Sequence, residues 1–221
     1  MPVKTRRAGT GETIRWGGEG PFLDAGALGA VMAKAFEKDA AGALLLIDLD
    51  DFHQVNVQAG RETGDKVIRA AMAVVKKWAD TEGWKPGRIG GDEFALFSPG
   101  TALENAFLRA ERLRTDLDAA MAKELPKQLK VTASIGVAAA PRDAKTSSEL
   151  MKKADLALYA AKDQGGDTVA LAPGDEMVLK SSYYTAAQLG RLKGLAERQK
   201  KKESVLLREA LDDLLRKHDR T

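Results

Sequence analysis

Residues 88–94 read Arg-Ile-Gly-Gly-Asp-Glu-Phe, a glycine pair followed at once by two acids and an aromatic residue. The surrounding stretch, residues 84–97, predicts two short strands joined by a tight turn at the glycines. Glycines at such a turn let a ligand approach the backbone closely. The stretch therefore predicts a hairpin that presents Asp92 and Glu93 directly after its turn.

A second group of acids follows the apolar run Leu44–Ile47, which is typical of a buried strand. Asp48, Asp50 and Asp51 come at its carboxyl end. Ligands bind at strand ends in such sheets, and clustered carboxylates need a cation to stay ionised. Mg²⁺ prefers carboxylate oxygens and usually arrives with a nucleotide phosphate. The residues alone leave two interpretations open: a magnesium–nucleotide site built from two adjacent strands, or a tight hairpin whose acids are simply solvated.

The remaining pattern predicts an α/β fold. Apolar residues recur at helical spacing in four segments, and two further apolar runs predict strands at residues 129–139 and 168–171. The four segments are residues 23–38, 63–78, 103–125 and 147–162, with Ser147 as the expected N-cap of the last. This alternation predicts a mixed sheet covered by helices. We expect an N-terminal arm over residues 1–22, the α/β domain over 23–171, a linker over 172–176, and a separate C-terminal module over 177–221.

Across residues 23–171 the motifs resemble those of the GGDEF-type diguanylate cyclases. The match extends well beyond Gly90–Phe94. In chain order, the other motifs are similar to the family's I-D-[IL]-D-x-F strand end at Ile47–Phe52, its Asn56 and Gly64-Asp65 positions, its S-x-G strand at Thr132–Val137, and its A-D-x-A-L-Y-x-A-K helix at Ala154–Lys162. The resemblance implies a fold like the nucleotidyl cyclase palm and the condensation of two GTP into cyclic di-GMP, with release of pyrophosphate.

The resemblance also implies roles for the acids. Asp48, the Leu49 carbonyl and Asp92 would hold Mg²⁺ or Mn²⁺. Asp92 would help to activate the ribose 3′-hydroxyl, and Glu93 would assist at the metal or at the developing charge. Bound metal neutralises phosphate charge and lowers the pKa of the attacking hydroxyl.

The resemblance further implies which residues contact GTP. Asn56 and Asp65 would recognise guanine, because a carboxylate can accept from both N1–H and the 2-amino group. Lys162 would contact phosphates, to which a compact ammonium is suited. The backbone amides around Phe52 and His53 would hold the β- and γ-phosphates. The GTP-binding residues expected from the motifs are Phe52, His53, Asn56, Arg61, Asp65 and Lys162.

The chain departs from the family pattern at several positions. His53 stands where the family often has Lys, Arg61 where it has His, and Gly166 where it commonly has Arg, so phosphate binding should be weaker than usual. The family's opening motif is replaced by residues 17–24, and its product-inhibition motif R-x-x-D is missing at Thr81–Trp84. The intact acids favour an active enzyme over the alternative, a degenerate domain that only senses GTP or cyclic di-GMP.

The composition excludes several kinds of catalytic and metal site and bears on where in the cell the protein is expected. The chain has 221 residues, no Cys and only two His, which excludes disulfides, thiol nucleophiles, thiolate zinc sites and multi-histidine metal sites. The longest apolar run is far shorter than the ~20 residues that span a bilayer. No signal peptide is visible at the basic N-terminus. We therefore expect a cytoplasmic protein without a membrane partner.

The last 46 residues carry the excess positive charge. Residues 176–221 hold eleven Lys or Arg and seven Asp or Glu, a net charge of +4, whereas the rest of the chain is at −1. A basic tail suggests a polyanionic partner, although a solvated helical surface would also fit. From about residue 177 to 217, the hydrophobic spacing resembles the ribbon-helix-helix DNA-binding family, a β-α-α unit that dimerises, except that a lysine replaces the usual turn glycine.

This second resemblance implies a homodimer that binds double-stranded DNA. Two chains would pair strands at residues 178–184 into one ribbon lying in the major groove. Thr185 is the expected N-cap of the helix that follows. The residues expected to contact DNA are Lys180, Ser181, Tyr183, Lys200, Lys201, Lys202 and Ser204. The alternative for this segment is a helical-hairpin dimerisation tail that binds no DNA.

Overall fold

The computed structural model describes residues 14–15, 21–37, 42–172, 182–199 and 201–218. The chain divides into two compact units, residues 1–174 and residues 175–221. The described residues form seven strands: β1 (Ile14–Arg15), β2 (Pro21–Phe22), β3 (Gly42–Asp50), β4 (Lys85–Arg88), β5 (Glu93–Pro99), β6 (Thr132–Ala140) and β7 (Val169–Leu171). Seven helices are described: α1 (Ala25–Phe36), α2 (Phe52–Ala59), α3 (Arg61–Glu82), α4 (Leu103–Met121), α5 (Ser147–Asp163), α6 (Ala186–Gln199) and α7 (Glu203–His218).

The first unit is built on a five-stranded mixed sheet with the order β4-β5-β3-β6-β7. Strand β7 runs parallel to β6, and the other neighbours are antiparallel. Outside this sheet, β1 and β2 form a short antiparallel pair. The mixed sheet flanked by helices confirms the fold class expected from the alternation of patterns.

Strand β3 is central, and both of its faces are buried. Leu45 and Ile47 belong to the core beneath α3 and α4, whereas Leu44 and Leu46 belong to the core beneath α1 and α5. Successive side chains of a strand point to opposite faces, so a strand covered on both sides reads as a continuous apolar run. The central position brings the carboxyl end of β3 between its two neighbours, β5 and β6.

One helix was missed and one local expectation was wrong. The segment after β3 is a helix, α2, that the sequence analysis did not include; its eight residues carry too few apolar side chains for a clear period. The N-cap of α5 is Thr146 rather than Ser147, because the Thr146 hydroxyl accepts from the Glu149 amide at 3.2 Å. An N-cap has extended backbone, which Thr146 adopts and the helical Ser147 does not.

The second unit contains α6 and α7. Thr185 caps α6 as expected, through a reciprocal pair of bonds: its hydroxyl accepts from the Gln188 amide at 3.2 Å, and Gln188 Oε1 accepts from the Thr185 amide at 2.9 Å. The expected strand over 178–184 falls partly outside the described residues, at 178–181. Residues 182–184 lie in no strand of this single chain.

Ala196 and Leu206 are the buried apolar residues of the described part of the second unit, whereas Leu189, Leu211 and Leu214 are exposed. Such a short unit leaves most of its apolar face uncovered. Throughout the part of the chain that the structure describes, no helix combines the length and the apolar character needed to cross a membrane.

Candidate active site

Strand pairing brings the acids of the two predicted groups together. In the antiparallel register of β3 and β5, Asp48 lies directly opposite Glu93. Beyond the last paired residue, the Leu49 amide donates to the Asp92 carbonyl at 3.3 Å. Asp92, Glu93, Asp48 and the Leu49 backbone therefore meet at one edge of the sheet, as the sequence predicted.

Arg88 holds the turn between β4 and β5, and the sequence analysis did not single it out as a site residue. Its guanidinium donates to the Gly90 carbonyl at 3.2 Å and to the Gly91 carbonyl at 2.5 Å. The same group lies 5.8 Å from the centre of the Phe94 ring. Burial lowers the pKa of Arg88, and the charge of Asp92 opposes that effect. A planar donor of this kind can fix two carbonyls at once, which sets the direction in which the acids leave the turn.

Asp48 is a buried acid that bonds to a cation. The residue is 8% exposed, and its Oδ1 atom lies 2.5 Å from Lys162 Nζ of α5. Burial raises the pKa of Asp48, the hydrogen bond and charge of Lys162 lower it, and the charges of Asp92 and Glu93 raise it again. The net direction is upward, so one ammonium does not fully compensate the burial of this carboxylate among its acidic neighbours.

Gly136 of β6 is the reason that Lys162 reaches the site. A Cβ atom there would collide with the backbone of α5, at the Leu158 nitrogen and the Ala154 carbonyl. Without a side chain, α5 lies directly against β6, and its last turn brings Lys162 to the end of β3. The S-x-G motif thus sets the distance between a helix and the sheet.

Asp50 serves the fold rather than the site. Its carboxylate accepts from the Ser134 hydroxyl at 2.6 Å, the Thr132 hydroxyl at 2.8 Å and the Asp167 amide at 2.9 Å. These bonds connect the end of β3 to β6 and to the loop before β7. In that loop Gly166 has φ +78°, and a Cβ there would lie 2.9 Å from the Asp50 carboxyl carbon. A side chain at position 166, where the family pattern predicts an Arg, would therefore lie against the Asp50 carboxylate.

A cavity of about 400 Å³ opens beside the acids. Five of the six residues expected to bind GTP line it, together with Asp92 of the acidic cluster. Its full lining is Phe52, His53, Asn56, Arg61, Asp65, Ile68, Arg88, Gly91 and Asp92. Lys162 is the expected GTP-binding residue that does not line the cavity; it pairs with Asp48 instead. Ile68, Arg88 and Gly91 were not expected there, since only the packing of α3 against the hairpin brings them in.

The cavity wall depends on a close approach of α2 and α3. A Cβ at Gly64 would collide with the Asn56 side chain and come 3.2 Å from the Phe52 ring. The absence of a side chain at Gly64 therefore leaves room for Asn56 beside Asp65. The chain enters α2 through Asp51 at φ +52°, a left-handed turn that places the Phe52 and His53 amides in the first helical turn. Amides in that turn have no partner within the helix and are suited to an anion.

The oxygen atoms of the Asp48 and Asp92 carboxylates and of the Leu49 carbonyl are ligands that fit a divalent cation. Carboxylates and a backbone carbonyl are the hard oxygen ligands that Mg²⁺ prefers, and the Lys162 ammonium already occupies a cationic position against Asp48. Among the residues that the structure describes, no three His, Asp or Glu side chains are arranged to hold a metal by themselves. Two carboxylates and the Leu49 carbonyl would leave coordination positions for phosphate oxygens and water.

The segment Thr81–Trp84, where the R-x-x-D motif would stand, carries a different structure. Trp84 is buried, its ring centre lies 6.1 Å from that of Trp78, and the Arg109 guanidinium lies 5.7 Å from the Trp84 ring centre. Arg109 also pairs with Glu82 at 2.7 Å. The end of α3 is thus packed against α4 by aromatic and cation–π contacts.

The residues expected to contact DNA lie in the second unit, and part of that set falls outside the described residues, namely Lys180, Ser181 and Lys200. Tyr183 and Lys202 are exposed, and Ser204 lies in the first turn of α7, partly buried. Lys201 pairs with Glu209 at 2.6 Å. The described tail residues therefore present some of the expected positive charge, with one lysine already neutralised.

Comparisons with known proteins show which family the first unit resembles. The profile described as diguanylate cyclase, GGDEF domain, matches residues 25–168. Diguanylate cyclase A of Treponema denticola is 32% identical over 138 residues, which is 61% of this chain and 36% of that protein. The response regulator PleD of Caulobacter vibrioides is 37% identical over 131 residues, 57% of this chain and 28% of that protein. The chain thus spans about a third of the length of these curated relatives.

Among solved structures, the GGDEF domain of DgcB from Caulobacter crescentus, in complex with c-di-GMP, superposes with a TM-score of 0.62. It is 27% identical, and the match covers 76% of this chain and 98% of that one. A longer form of the same protein that includes its coiled coil, also with c-di-GMP, gives the same TM-score over 71% of this chain and 84% of that one.

Proposed function

Because the chain belongs to the GGDEF family of diguanylate cyclase domains, we propose that it condenses two GTP into cyclic di-GMP and two pyrophosphates. One observation carries the proposal: Asp48, Asp92 and Glu93 lie at one sheet edge, beside a cavity lined by Asn56 and Asp65. This arrangement combines acids suited to phosphoryl chemistry with polar groups suited to guanine.

Each half-reaction forms one bond and breaks one. The 3′-oxygen of one GTP bonds to the α-phosphorus of the other, the bond from that phosphorus to the β-phosphate oxygen breaks, and pyrophosphate leaves. The 3′-hydroxyl proton passes to a base, a role proposed for Asp92 with Glu93 assisting. Asp48, the Leu49 carbonyl and Asp92 would hold Mg²⁺ or Mn²⁺, which supplies charge neutralisation and a lower pKa for the attacking hydroxyl.

Substrate recognition follows from the cavity lining. Asp65 and Asn56 offer oxygen acceptors to the N1–H and 2-amino group of guanine, and adenine presents no such pair of donors. His53 and Arg61 supply basic groups in the same cavity, on the side of α2 and α3. These groups, with the amides of Phe52 and His53, would hold the triphosphate in the absence of an Arg at Gly166.

The reaction needs two GTP-loaded protomers face to face, so we propose a homodimer. The second unit supports this, because α6 and α7 leave Leu189, Leu211 and Leu214 exposed in one chain. A dimeric tail raises the local concentration of the second half-site. The net charge of +4 over residues 176–221 further supports double-stranded DNA as a partner of a ribbon-helix-helix tail. A helical-hairpin tail that dimerises without DNA is the alternative, and DNA binding distinguishes the two.

Turnover of GTP with product identification tests the activity. We expect the full chain with Mg²⁺ or Mn²⁺ to form cyclic di-GMP from GTP and no cyclic product from ATP. Asp92→Ala should abolish turnover and leave the circular dichroism spectrum unchanged. Glu124→Ala is the control, because Glu124 is an exposed acid outside the family motifs. Undiminished activity in Asp92→Ala, or substantial product from ATP, would contradict the proposal. A protein that binds GTP or cyclic di-GMP without turnover would instead be a sensor.

A further inference from the structure

Lys162 and Asp48 form a close ion pair, with Nζ and Oδ1 at 2.5 Å. The Asp48 side chain is 11% exposed and the Lys162 side chain 39% exposed. The carboxylate is therefore fixed in the sheet, whereas the ammonium approaches it from the solvent side on a flexible four-carbon stem. Of the two partners, Lys162 is the one that can leave.

The surroundings of the pair carry excess negative charge. Asp92 and Glu93 lie close enough for their charges to act on Asp48, and Lys162 is the cation that bonds to it. The ammonium occupies Oδ1, and its positive charge would repel a second cation at the same carboxylate. A divalent ion entering the cluster would therefore compete with Lys162 for the Asp48 carboxylate.

We propose that Lys162 is an exchangeable counter-ion: it holds Asp48 until a divalent cation takes its place, and it is then released to bind the triphosphate. The first half of this exchange concerns Asp48 and metal alone, while the second half rests on the proposed function. The consequence is a pair of opposite effects. Removal of the ammonium should strengthen binding of the metal alone and weaken binding of the metal–nucleotide complex.

Binding of Mn²⁺ to the full chain without nucleotide tests the exchange, with free Mn²⁺ measured by electron paramagnetic resonance. Lys162→Met should bind Mn²⁺ about three- to tenfold more tightly than the wild type, the range expected for loss of a competing, partly buried ion pair. The same variant should bind a non-hydrolysable GTP analogue with Mn²⁺ at least about tenfold more weakly, because a charge-assisted phosphate contact is lost. Lys162→Arg should restore part of both effects.

Two controls keep the measurement specific. Lys152→Met removes an exposed lysine of the same helix and should leave both affinities unchanged. When Asp48→Asn is combined with Lys162→Met, the double variant should bind Mn²⁺ no more tightly than Asp48→Asn alone, because the contested carboxylate is gone. Equal or weaker Mn²⁺ binding by Lys162→Met than by the wild type would overturn the proposal.

A second measurement does not depend on a variant that folds. On Mg²⁺ titration of wild-type protein without nucleotide, the side-chain carbon signal of Lys162 should move towards that of a free lysine. A signal that stays in place while Mg²⁺ binds would also overturn the exchange. Failure of the proposed function shows differently: the metal effects would stand, and GTP would not be turned over by the wild type.

Discussion

Asp118 of α4 is a carboxylate whose surroundings favour its protonated form. Its Oδ2 atom lies 3.4 Å from Arg114, and Arg114 also binds Asp167 and Glu111. Asp167 is held in turn by Lys130 at 3.0 Å. Burial, followed by the charge of Asp167, raises the pKa of Asp118 to about 6, although Arg114 acts in the opposite direction. Three carboxylates, those of Asp118, Asp167 and Glu111, thus share two cations, Arg114 and Lys130.

The sign of the pH dependence follows from this raised pKa. The folded protein binds the Asp118 proton more tightly than the unfolded chain does, so its contribution to stability is complete below about pH 4 and is lost as pH rises through about 6. Asp118→Asn removes the ionisation. We expect the variant to be more stable than the wild type at pH 8, by about 1 to 2 kcal/mol, and the difference to shrink towards pH 5. Urea unfolding at both pH values measures it.

Asp155→Asn is the control for this measurement, since it removes an exposed acid. A variant at position 118 that loses stability with rising pH as steeply as the wild type would show that Asp118 is ionised without penalty.

At the scale of single residues, the acid pattern alone did not distinguish Asp48, Asp50 and Asp51, and only the family resemblance gave Asp48 a separate role. Asp48, Asp50 and Asp51 have the same side chain and nearly the same place in the chain. Burial and hydrogen-bond partners distinguish these side chains, and neither can be read from the sequence. Asp48 bonds to Lys162, whereas the Asp50 carboxylate accepts hydrogen bonds from three donors in β6 and the loop before β7. The role of Arg88 was also hidden, because its partners are carbonyls of its own turn.

At the scale of elements, the contact of α5 with β6 decides where the end of the helix lies. Gly136→Ala would place a methyl group against the α5 backbone, which cannot move aside as a flexible side chain can. We expect the free energy of unfolding to fall by about 1 to 3 kcal/mol. GTP turnover should fall as well, because Lys162 is carried on the displaced helix. Chemical denaturation and a turnover assay measure the two effects.

Gly29→Ala provides the matched control. Gly29 lies in α1 with nothing within 4 Å of a Cβ placed there, so alanine should stabilise the protein by about 0.5 to 1 kcal/mol through helix propensity. If Gly136→Ala were as harmless as Gly29→Ala, the close approach of α5 would not be needed.

The sequence predicted most elements that have a clear apolar period. It missed α2, which has no such period. Helix α2 has one buried residue, Val55, and presents Phe52, His53 and Asn56 to the cavity instead of a core. A helix whose residues serve a ligand loses the apolar stripe by which helices are recognised. The structure brings the three residues, which the family resemblance predicts to bind GTP, to one cavity, and the resemblance did not reveal that they share a helix.

The end of α3 bears on regulation by product. Arg and Asp of the family's R-x-x-D motif are replaced by Thr81 and by Trp84, which is buried against Trp78 and Arg109. Neither replacement offers a charged partner to phosphate or guanine. We expect cyclic di-GMP added to the turnover assay to inhibit weakly or not at all through this surface. A low-micromolar inhibition constant that disappeared on mutation of residues 81–84 would contradict this expectation.

At the scale of the whole molecule, the chain consists of two units that differ in how much of their apolar surface is buried within one chain. The first has a core on both faces of its sheet, so its apolar pattern determines it within one chain. The second keeps Leu211 and Leu214 exposed in a single chain, so part of its apolar pattern is not explained by contacts within that chain. The helices and the Thr185 cap were predicted from local pattern, whereas pairing between two chains depends on contacts that a local pattern does not encode.

The last prediction concerns DNA and its coupling to turnover. Binding of duplex DNA to the tail should weaken steeply with salt, because phosphate contacts release counterions. Replacing Lys200, Lys201 and Lys202 together by Ala should weaken binding to all sequences. Tyr183→Ala should instead reduce sequence preference, since the ring of Tyr183 is fully exposed and available to a groove. A helical-hairpin tail would show neither effect.

Coupling requires that DNA favour one arrangement of the two catalytic domains over another. A two-fold DNA ribbon would fix where both chains leave the tail, near Glu176, and the predicted linker over residues 172–176 is short. We expect saturating cognate DNA to raise GTP turnover, because free dimers with an unconstrained linker would sample many unproductive arrangements. The measurement compares turnover of the full chain with and without DNA, using the triple lysine variant as a control that should not respond. Equal turnover in both conditions would leave the two domains as independent neighbours.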